Sequence, residues 1–550
     1  MTIQFTGTPG RFSFAKYGVL APLVVLLSAC AALTKPATLI DPKDLAKGSY
    51  VISTPGNYRL GGNVEVRDIG AGAPVIKIAA NNVTLDLDGH TVAMAISPTA
   101  SANAGIEING VSNVVVTNGT LRELSGPGIH LVCDVDPAAR QCSNIEFSHL
   151  DMRNVGKRGE YLDLGNIFVR PFSGGIVAFG RSTPVPATGG NWENSITGVR
   201  VSKVTVRNEA NIKHLFSGAT PAGGQNGMTF ASVSNLRVED SSVAGMRSND
   251  AAACLFLGRT KTVVVRQFDC NGATGDRNAN GIDSMANVAN PLAIKKNLYV
   301  LVEDTSIANI LATGPRGNEA LGVELNGEKF TFRNLVVTDV KNDSTTTQGN
   351  RAIGIQINSN GLSDEVGRVS NCMVKNVSQY GISPDSRAGG ISIEGAPPVV
   401  ISRCAVSNVI NHAKSATSIK AFGYRVDPGA KKAVFEESSS EGITAPMVTA
   451  SSSAIPGYVA GFVLVNARVE MNQNRSRNSH VGVFVRNLAP DSAISGNLIQ
   501  CNGTALVDSG SGKNYSKNRL IDNAVASIPA SLLNGTDNLI SGTKGSACGN

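Results

Sequence analysis

The 550-residue chain is short of charge and short of rings. Charged residues make up 17%, against about 25% in ordinary globular proteins. Aromatic residues make up 5%, with a single tryptophan, so the core is left to Val, Ile, Leu and Ala. The 42% hydrophobic content excludes a disordered scaffold. Outside the N-terminus no apolar run reaches the ~20 residues that span a bilayer, which excludes a polytopic membrane protein. There is no CxxC and no Cys/His cluster, so a structural zinc site is not expected. The net charge of +7 is a small excess for this length, and no nucleic-acid motif goes with it. Nucleic acid is therefore not an expected partner.

What is present begins with an address. Arg11 and Lys16 precede the apolar run Gly18–Leu27, and Ser28-Ala29-Cys30 follows. A basic region, a short apolar stretch and a small-residue site make residues 1–29 a secretory signal. Leu27-Ser28-Ala29-Cys30 resembles the bacterial lipobox. The resemblance implies that Cys30 becomes the lipidated first residue, with 30–40 as a tether. Ala31 rather than Asp follows it, which points to an outer-membrane lipoprotein of the cell envelope, touching the membrane through its anchor alone. Eight cysteines remain, enough for four disulfides in an oxidising compartment. Cys133 and Cys142 bracket a short polar loop and form the expected pair; Cys501 and Cys548 would pin the C-terminal tail.

One pattern recurs along the chain: a Gly- or Ala-led apolar triplet, a turn, then alternating apolar residues ending at Asn. It starts at Gly105, Gly128, Gly175, Gly227, Gly281, Gly322, Gly354, Gly390, Gly461 and Gly482, with looser copies near Ala253, Ser418 and Ala505. In Gly-Ile-x-Ile both Ile side chains face one way and x faces the other. Such a strand buries nothing alone, but stacked copies share a continuous core. The pattern predicts an all-β, single-domain right-handed parallel β-helix of about 13 coils over residues 41–525, three short strands per coil, with 526–550 as a cap or tail. Asp41-Pro42 starts a short N-capped helix over the open end. Asn118, Asn154, Asn208, Asn271, Asn309, Asn376, Asn408, Asn478, Asn502 and Asn523 close the V/I-rich strands and predict a stacked Asn ladder, with Asp339 taking the place once. Cys372 and Cys404 each lie four residues before a ladder Asn. Adjacent coils would set them about 4.8 Å apart, as a disulfide or as two stacked thiols.

The opening segment Gly48-Ser-Tyr-Val-Ile-Ser-Thr-Pro-Gly56-Asn-Tyr-Arg-Leu, with Asn82-Val-Thr-Leu-Asp-Leu-Asp-Gly89, resembles bacterial right-handed β-helix proteins of the pectate-lyase-like superfamily. The likeness covers about residues 48–525 and implies the fold. The superfamily holds lyases, hydrolases, epimerases and adhesins, so the activity must come from the site. Asn278-Ala-Asn280-Gly-Ile-Asp283 resembles the Asn-Thr-Asp-Gly-Ile-Asp motif of polygalacturonases, with Asn280 where that family has its first catalytic Asp. Tyr380-Gly-Ile-Ser-Pro-Asp-Ser resembles the Tyr-Gly-x-Asp-Pro-His motif of mannuronan epimerases, with Ser383 for the Asp and Asp385 for the His. Only Tyr380 carries over, as a proton donor or substrate contact.

Reading the outward x down the stack gives Glu107, His130, Val177, Thr229, Asp283, Glu324, Gln356, Ser392, Lys420 and Phe484. Asp283 and Glu324 fall on neighbouring coils, so one carboxyl pKa rises or a cation such as Ca²⁺ is held between them. A hydrated acidic row is the plain alternative. The long insertions 156–173, 181–194 and 209–225 carry Arg170, Arg181, Trp192 and His214. In a solenoid they would wall a groove, where Trp192 and Arg170 bind sugar while Arg181 and His214 assist the carboxylates. The sequence thus predicts a monomeric, lipid-anchored protein that binds a polysaccharide, acidic or neutral, and cleaves it by β-elimination. A non-catalytic spacer or adhesin, and a glycoside hydrolase using the stacked carboxylates, stand beside it.

Overall fold

Because side chains alternate across a strand, the two Ile of each triplet enter one face together. The computed structural model of the protein describes residues 36–548 except 47, 68, 71, 96–102, 134–140, 157–171, 181, 185–191, 210–223, 286–296, 315–318, 345–349, 359–364, 382, 384–385, 396–397, 414–418, 447–457, 509–513, 525–536 and 544–547. Nearly all the paired strands are parallel, each bonded to its equivalent one coil on. The chain is a right-handed parallel β-helix, the hand that parallel crossovers almost always take.

Each coil has three sides, as in Ile76–Ile78, Val83–Asp86 and Thr91–Met94. In the middle coils the second and third sides fuse into one bent strand, such as Val233–Ser248 or Asn297–Ala312. The glycine-led sheet runs through fifteen strands, from Tyr50–Ile52 to Thr504–Asp508. Its first two rungs, Tyr50–Ile52 and Ile76–Ile78, lack a leading glycine, so the repeat undercounts the coils. In the other sheet, pairing starts at Thr38–Ile40 on Gly56–Leu60 and reaches Leu539–Thr543 on Arg519–Asn523, beyond 41–525 at both ends.

Two inward columns face each other across the core. One is Ile106, Ile129, Ile176, Met228, Leu255, Ile282, Val323, Ile355 and Ile391, each on the next. The other is Val83, Val114, Ile145, Val199, Leu236, Val263 and Val300. All are fully or almost fully buried, which at about 1.5–3 kcal/mol per side chain makes this the main source of stability. The leading glycine serves close approach rather than a turn. A Cβ at Gly354 would lie 2.2 Å from Val374 Cγ1. Leu45 of the short helix Pro42–Leu45 joins the same core, and Asp41 caps that helix by accepting from Lys43 N at 2.9 Å.

Asn208 and Asn271 do not take left-handed backbone, Asn208 Nδ2 instead donating to the Val155 carbonyl at 3.2 Å; the rest of the Asn ladder divides into two kinds. Asn118, Asn154, Asn309, Asn376, Asn408 and Asn478, with Asp339, take left-handed backbone at φ between 52° and 60°. Their amides bond the coil before, as in Asn408 Nδ2 to Asn376 Oδ1 at 2.7 Å and Asn376 Nδ2 to Asp339 Oδ1 at 2.9 Å. Asn502 and Asn523 instead turn inward, in a buried amide stack linked at 3.2 Å. A parallel stack joins the buried Asn474, Asn497 and Asn518 to the half-buried Asn538. Four disulfides close the eight cysteines: Cys133–Cys142, Cys254–Cys270, Cys372–Cys404 and Cys501–Cys548. The Cα atoms of Cys372 and Cys404 lie 4.4 Å apart, as neighbouring coils require.

Candidate functional site

Asp283 and Glu324 are direct register partners, 41 positions apart in sequence but one strand apart in space. The outward column continues through Gln356, Ser392 and Arg425. Lys420, expected here, belongs to a different column, stacked on Arg387. The reason is that this coil's triplet is Gly423-Tyr424-Arg425-Val426, with Tyr in the inward Ile position, so the repeat begins five residues later than Ser418 suggests. Two residues absent from the sequence-read column, Phe256 and Val463, also take their places in it.

The column is not a hydrated row. Gln356, Ser392 and Thr229 are at most 2% exposed, and Arg425 is 6% exposed. The face beside it is apolar: Leu321, Ile353, Phe422 and Val463 form a cluster outside the core, and Val177, Phe179, Ala231 and Phe256 form another nearer the N-terminus. Five polar rungs, Asp283 to Arg425, therefore make a window between two apolar patches, about 19 Å long at the strand spacing. A charge substitution at Gln356 is consequently not the neutral surface change that its outward register predicts.

The window is acidic at one end. Glu324 is partly buried, and burial holds its carboxyl well above the usual carboxylate range. The neighbouring Asp283 charge and then Glu319 add to this, while Asn326 and Arg351 oppose it. Glu324 Oε1 accepts from Asn358 Nδ2 at 3.2 Å and from Asn326 Nδ2 at 3.4 Å. Asn358 Oδ1 in turn accepts from Gln356 Nε2 at 3.1 Å. Arg351, on the next coil, is 3.4 Å from Glu319. Within the motif Asn278–Asp283, Asn280 is 3% exposed, and its Oδ1 has no hydrogen-bond partner among the described residues.

The other end is basic but neutralised. Arg425 pairs with Asp427 and lies 3.3 Å from Glu394, which also lies 3.6 Å from Arg387. The Arg425 guanidinium sits 5.5 Å from the Phe422 ring centroid and 5.7 Å from that of Tyr458. Burial pushes the Tyr458 hydroxyl up to about 12.

Other sequence-predicted residues are not gathered here. Tyr380 is 41% exposed and sits at a corner two coils on from Glu324. His412 stacks on its ring at 4.2 Å, and Lys341 Nζ lies 4.6 Å from the ring centroid. These neighbours come from the coils on either side, so an edge and the hydroxyl, rather than a ring face, are left for a ligand. Trp192 lies on a short strand, Trp192–Asn194, paired antiparallel with Ser182–Pro184. Its side chain, and the residues Cys30, Arg170, Arg181, His214 and Asp385, lie outside the described ones. Among the described residues no group of three His, Cys, Asp or Glu side chains converges as a metal site. Sequence reasoning missed Asn326, Asn358 and Arg425. The first two sit two positions after the x of their triplets, where the same register finds them.

No family model matches the chain, and no curated protein matches it. Solved structures similar to it share 10–13% identity. The catalytic domain of a GH87 α-1,3-glucanase in complex with nigerose matches with TM-score 0.34 at 11% identity. That match covers 72% of this chain and 64% of that domain, less than two thirds of its length. A mannuronic-acid-specific polysaccharide family 6 lyase from human gut microbiota matches with TM-score 0.31 at 10% identity over 92% and 91% of the two chains. A Yersinia enterocolitica family 28 exopolygalacturonase gives 0.28 at 10% identity over 88% and 78%.

Proposed function

We propose that the protein binds a polysaccharide along the glycine-led sheet and cleaves it by hydrolysis, with Glu324 as proton donor and Asp283 as the ionised carboxylate. One observation carries this reading: two carboxyl groups stacked on adjacent coils, with Glu324 pushed up by burial and by its neighbour. A carboxyl raised above its ordinary range beside a second carboxyl is what an acid paired with a base or nucleophile requires. The pair's repulsion is relieved by a retained proton. A Ca²⁺ ion between the same oxygens is the alternative, and it would draw most of its six to eight ligands from amides and water. Elimination would instead call on Arg170, Arg181 and His214 as charge neutralisers and base. A spacer or adhesin would need no pair at all.

The test is a panel of neutral glycans and polyuronates, followed by reducing ends and by ultraviolet absorbance. Reducing ends without new absorbance, lost in Glu324→Gln and Asp283→Asn, support hydrolysis. New absorbance would assign elimination, and product formation that survives both substitutions would remove the pair from the chemistry. Export and lipidation at Cys30 place this activity at the outer membrane in our reading, motivated by the Leu-Ser-Ala-Cys tetrad. We further propose that the active species is the monomer.

A further inference from the structure

We propose that Asn326, Asn358 and Gln356 are positioning residues that fix the proton of Glu324 on Oε2, and so fix the direction from which the acid donates. The inference rests on Glu324 being the acid of the proposed reaction.

Both side-chain amides that reach Glu324 donate to the same oxygen, Oε1. A carboxyl oxygen that accepts two N–H groups is the carbonyl oxygen. A hydroxyl placed there would aim its hydrogen at two donors. The proton is therefore directed to Oε2, which neither amide touches.

The amides themselves cannot flip without loss. Asn326 Nδ2 also donates to the Ser284 carbonyl at 2.7 Å, and a backbone carbonyl only accepts. Its nitrogen is thereby assigned, and the same nitrogen faces Glu324. Asn358 stacks on Asn326 in register, and its Oδ1 is held by Gln356 Nε2. Turning Asn358 alone would set NH₂ against NH₂, and turning Gln356 with it would set Asn358 Oδ1 against Glu324 Oε1, the oxygen that the assigned Asn326 nitrogen already holds as an acceptor. Gln356 is 2% exposed and does not meet a ligand directly; it acts through Asn358. The charged groups facing Glu324 are Asp283 from the coil before, Glu319 from its own strand and Arg351 from the coil after. Arg351 is engaged by Glu319, so the amides are the donors left to Glu324 among its described neighbours.

Infrared spectroscopy of the full chain reads the proton without any substrate. The carboxylic C=O band belonging to Glu324 is the one lost in Glu324→Gln. In the wild type it should be a single narrow band, lowered in frequency by two donors. Asn358→Leu should move it up, broaden it as the proton samples both oxygens, and raise the pH of half-loss by about one unit, because the ionised form loses a donor. Gln356→Leu, which leaves Asn358 in place but unanchored, should shift both in the same direction by less. If Asn358→Leu fails to fold, as judged by circular dichroism, Gln356→Leu decides alone. A band and titration unmoved in the folded variants overturn the proposal, as does a wild type with no Glu324 carboxylic band near neutral pH. Glycan cleavage separates the two ideas. Cleavage lost in Glu324→Gln with an unmoved band sinks the amide chain only; a responsive band with no glycan cleaved sinks the hydrolase only.

Discussion

Glu324→Gln should make the protein more stable at high pH and leave it unchanged at low pH. The amide copies the protonated acid: its oxygen keeps the bonds from Asn326 and Asn358, and its NH₂ takes the place of the hydroxyl. In the folded wild type, burial, then Asp283, then Glu319 hold the Glu324 carboxyl well above its ordinary range. In the unfolded chain it titrates at about 4.3. Between those two values the folded state keeps a proton that the unfolded state has released. The stabilisation is fully present below the unfolded value and is lost as pH rises through the folded one. For one proton the loss is about 1.4 kcal/mol per pH unit within that window, and zero outside it. Glutamine has no proton to lose. Urea midpoints of both proteins, measured from pH 4 to 9 at fixed ionic strength, should coincide at the acid end and then diverge with the variant ahead. Parallel curves would show that Glu324 titrates normally. A wild type that gains on the variant as pH rises would mean an ionised Glu324 stabilised by a cation, and the shared-proton reading would be wrong.

Asp283→Asn should act in the same direction, stabilising the protein at pH 8 while abolishing glycan cleavage; a loss of stability there would contradict the repulsion between the pair. Millimolar Ca²⁺ should leave the melting temperature unchanged, and a rise that disappears in the Asp283→Asn, Glu324→Gln double variant would assign a bound cation instead. Ile355→Asp should leave no soluble folded protein, since an unpaired charge on a fully buried core residue costs several kcal/mol; a cooperative melt near that of the wild type would disprove the inward register. Cys30→Ser should release the protein from the membrane fraction, and unchanged partition would refute lipidation.

Much of the fold could be read from period two because each Gly-Ile-x-Ile copy states its own register. Asp283 on Glu324 followed from two glycines, Gly281 and Gly322, leading equivalent triplets. The reading failed where packing changed the residue type. Tyr424 fills an Ile position because its ring stacks on Phe462 at 4.7 Å and its hydroxyl donates to the Cys404 carbonyl at 2.7 Å. That substitution hid Arg425 and put Lys420 in its place. Burial was illegible for another reason. An outward side chain is exposed only if the outer face stays open, and here that face also carries the fully buried Ile353, Leu321 and Phe422. The periodicity of one strand says nothing about residues that pack across several. The buried amides of Asn502 and Asn523 read as turn residues for the same reason, since Asn suits both a left-handed corner and an internal stack.

Stacked acids alone would mean little in a ladder of fifteen rungs. What separates Glu324 from Glu107, Glu303 and Glu394 is the company it keeps. Glu107, in the same column nearer the N-terminus, has Lys77 Nζ at 2.9 Å. Glu303, on the other sheet, lies between Arg266 and Arg333. Glu394 has Arg387 and Arg425. In each case the coil above or below supplies a cation, which is what a solenoid selected for stability alone would place beside a half-buried acid. Glu324 has an acid on one side and an amide on the other, and the nearest arginine is bound to Glu319. The arrangement costs stability above the pKa of Glu324 and keeps a proton on the protein where water would remove it. A fold that sets a cation beside Glu107, Glu303 and Glu394, and sets Glu324 between an acid and an amide, has the local imbalance expected where function rather than packing sets the residues.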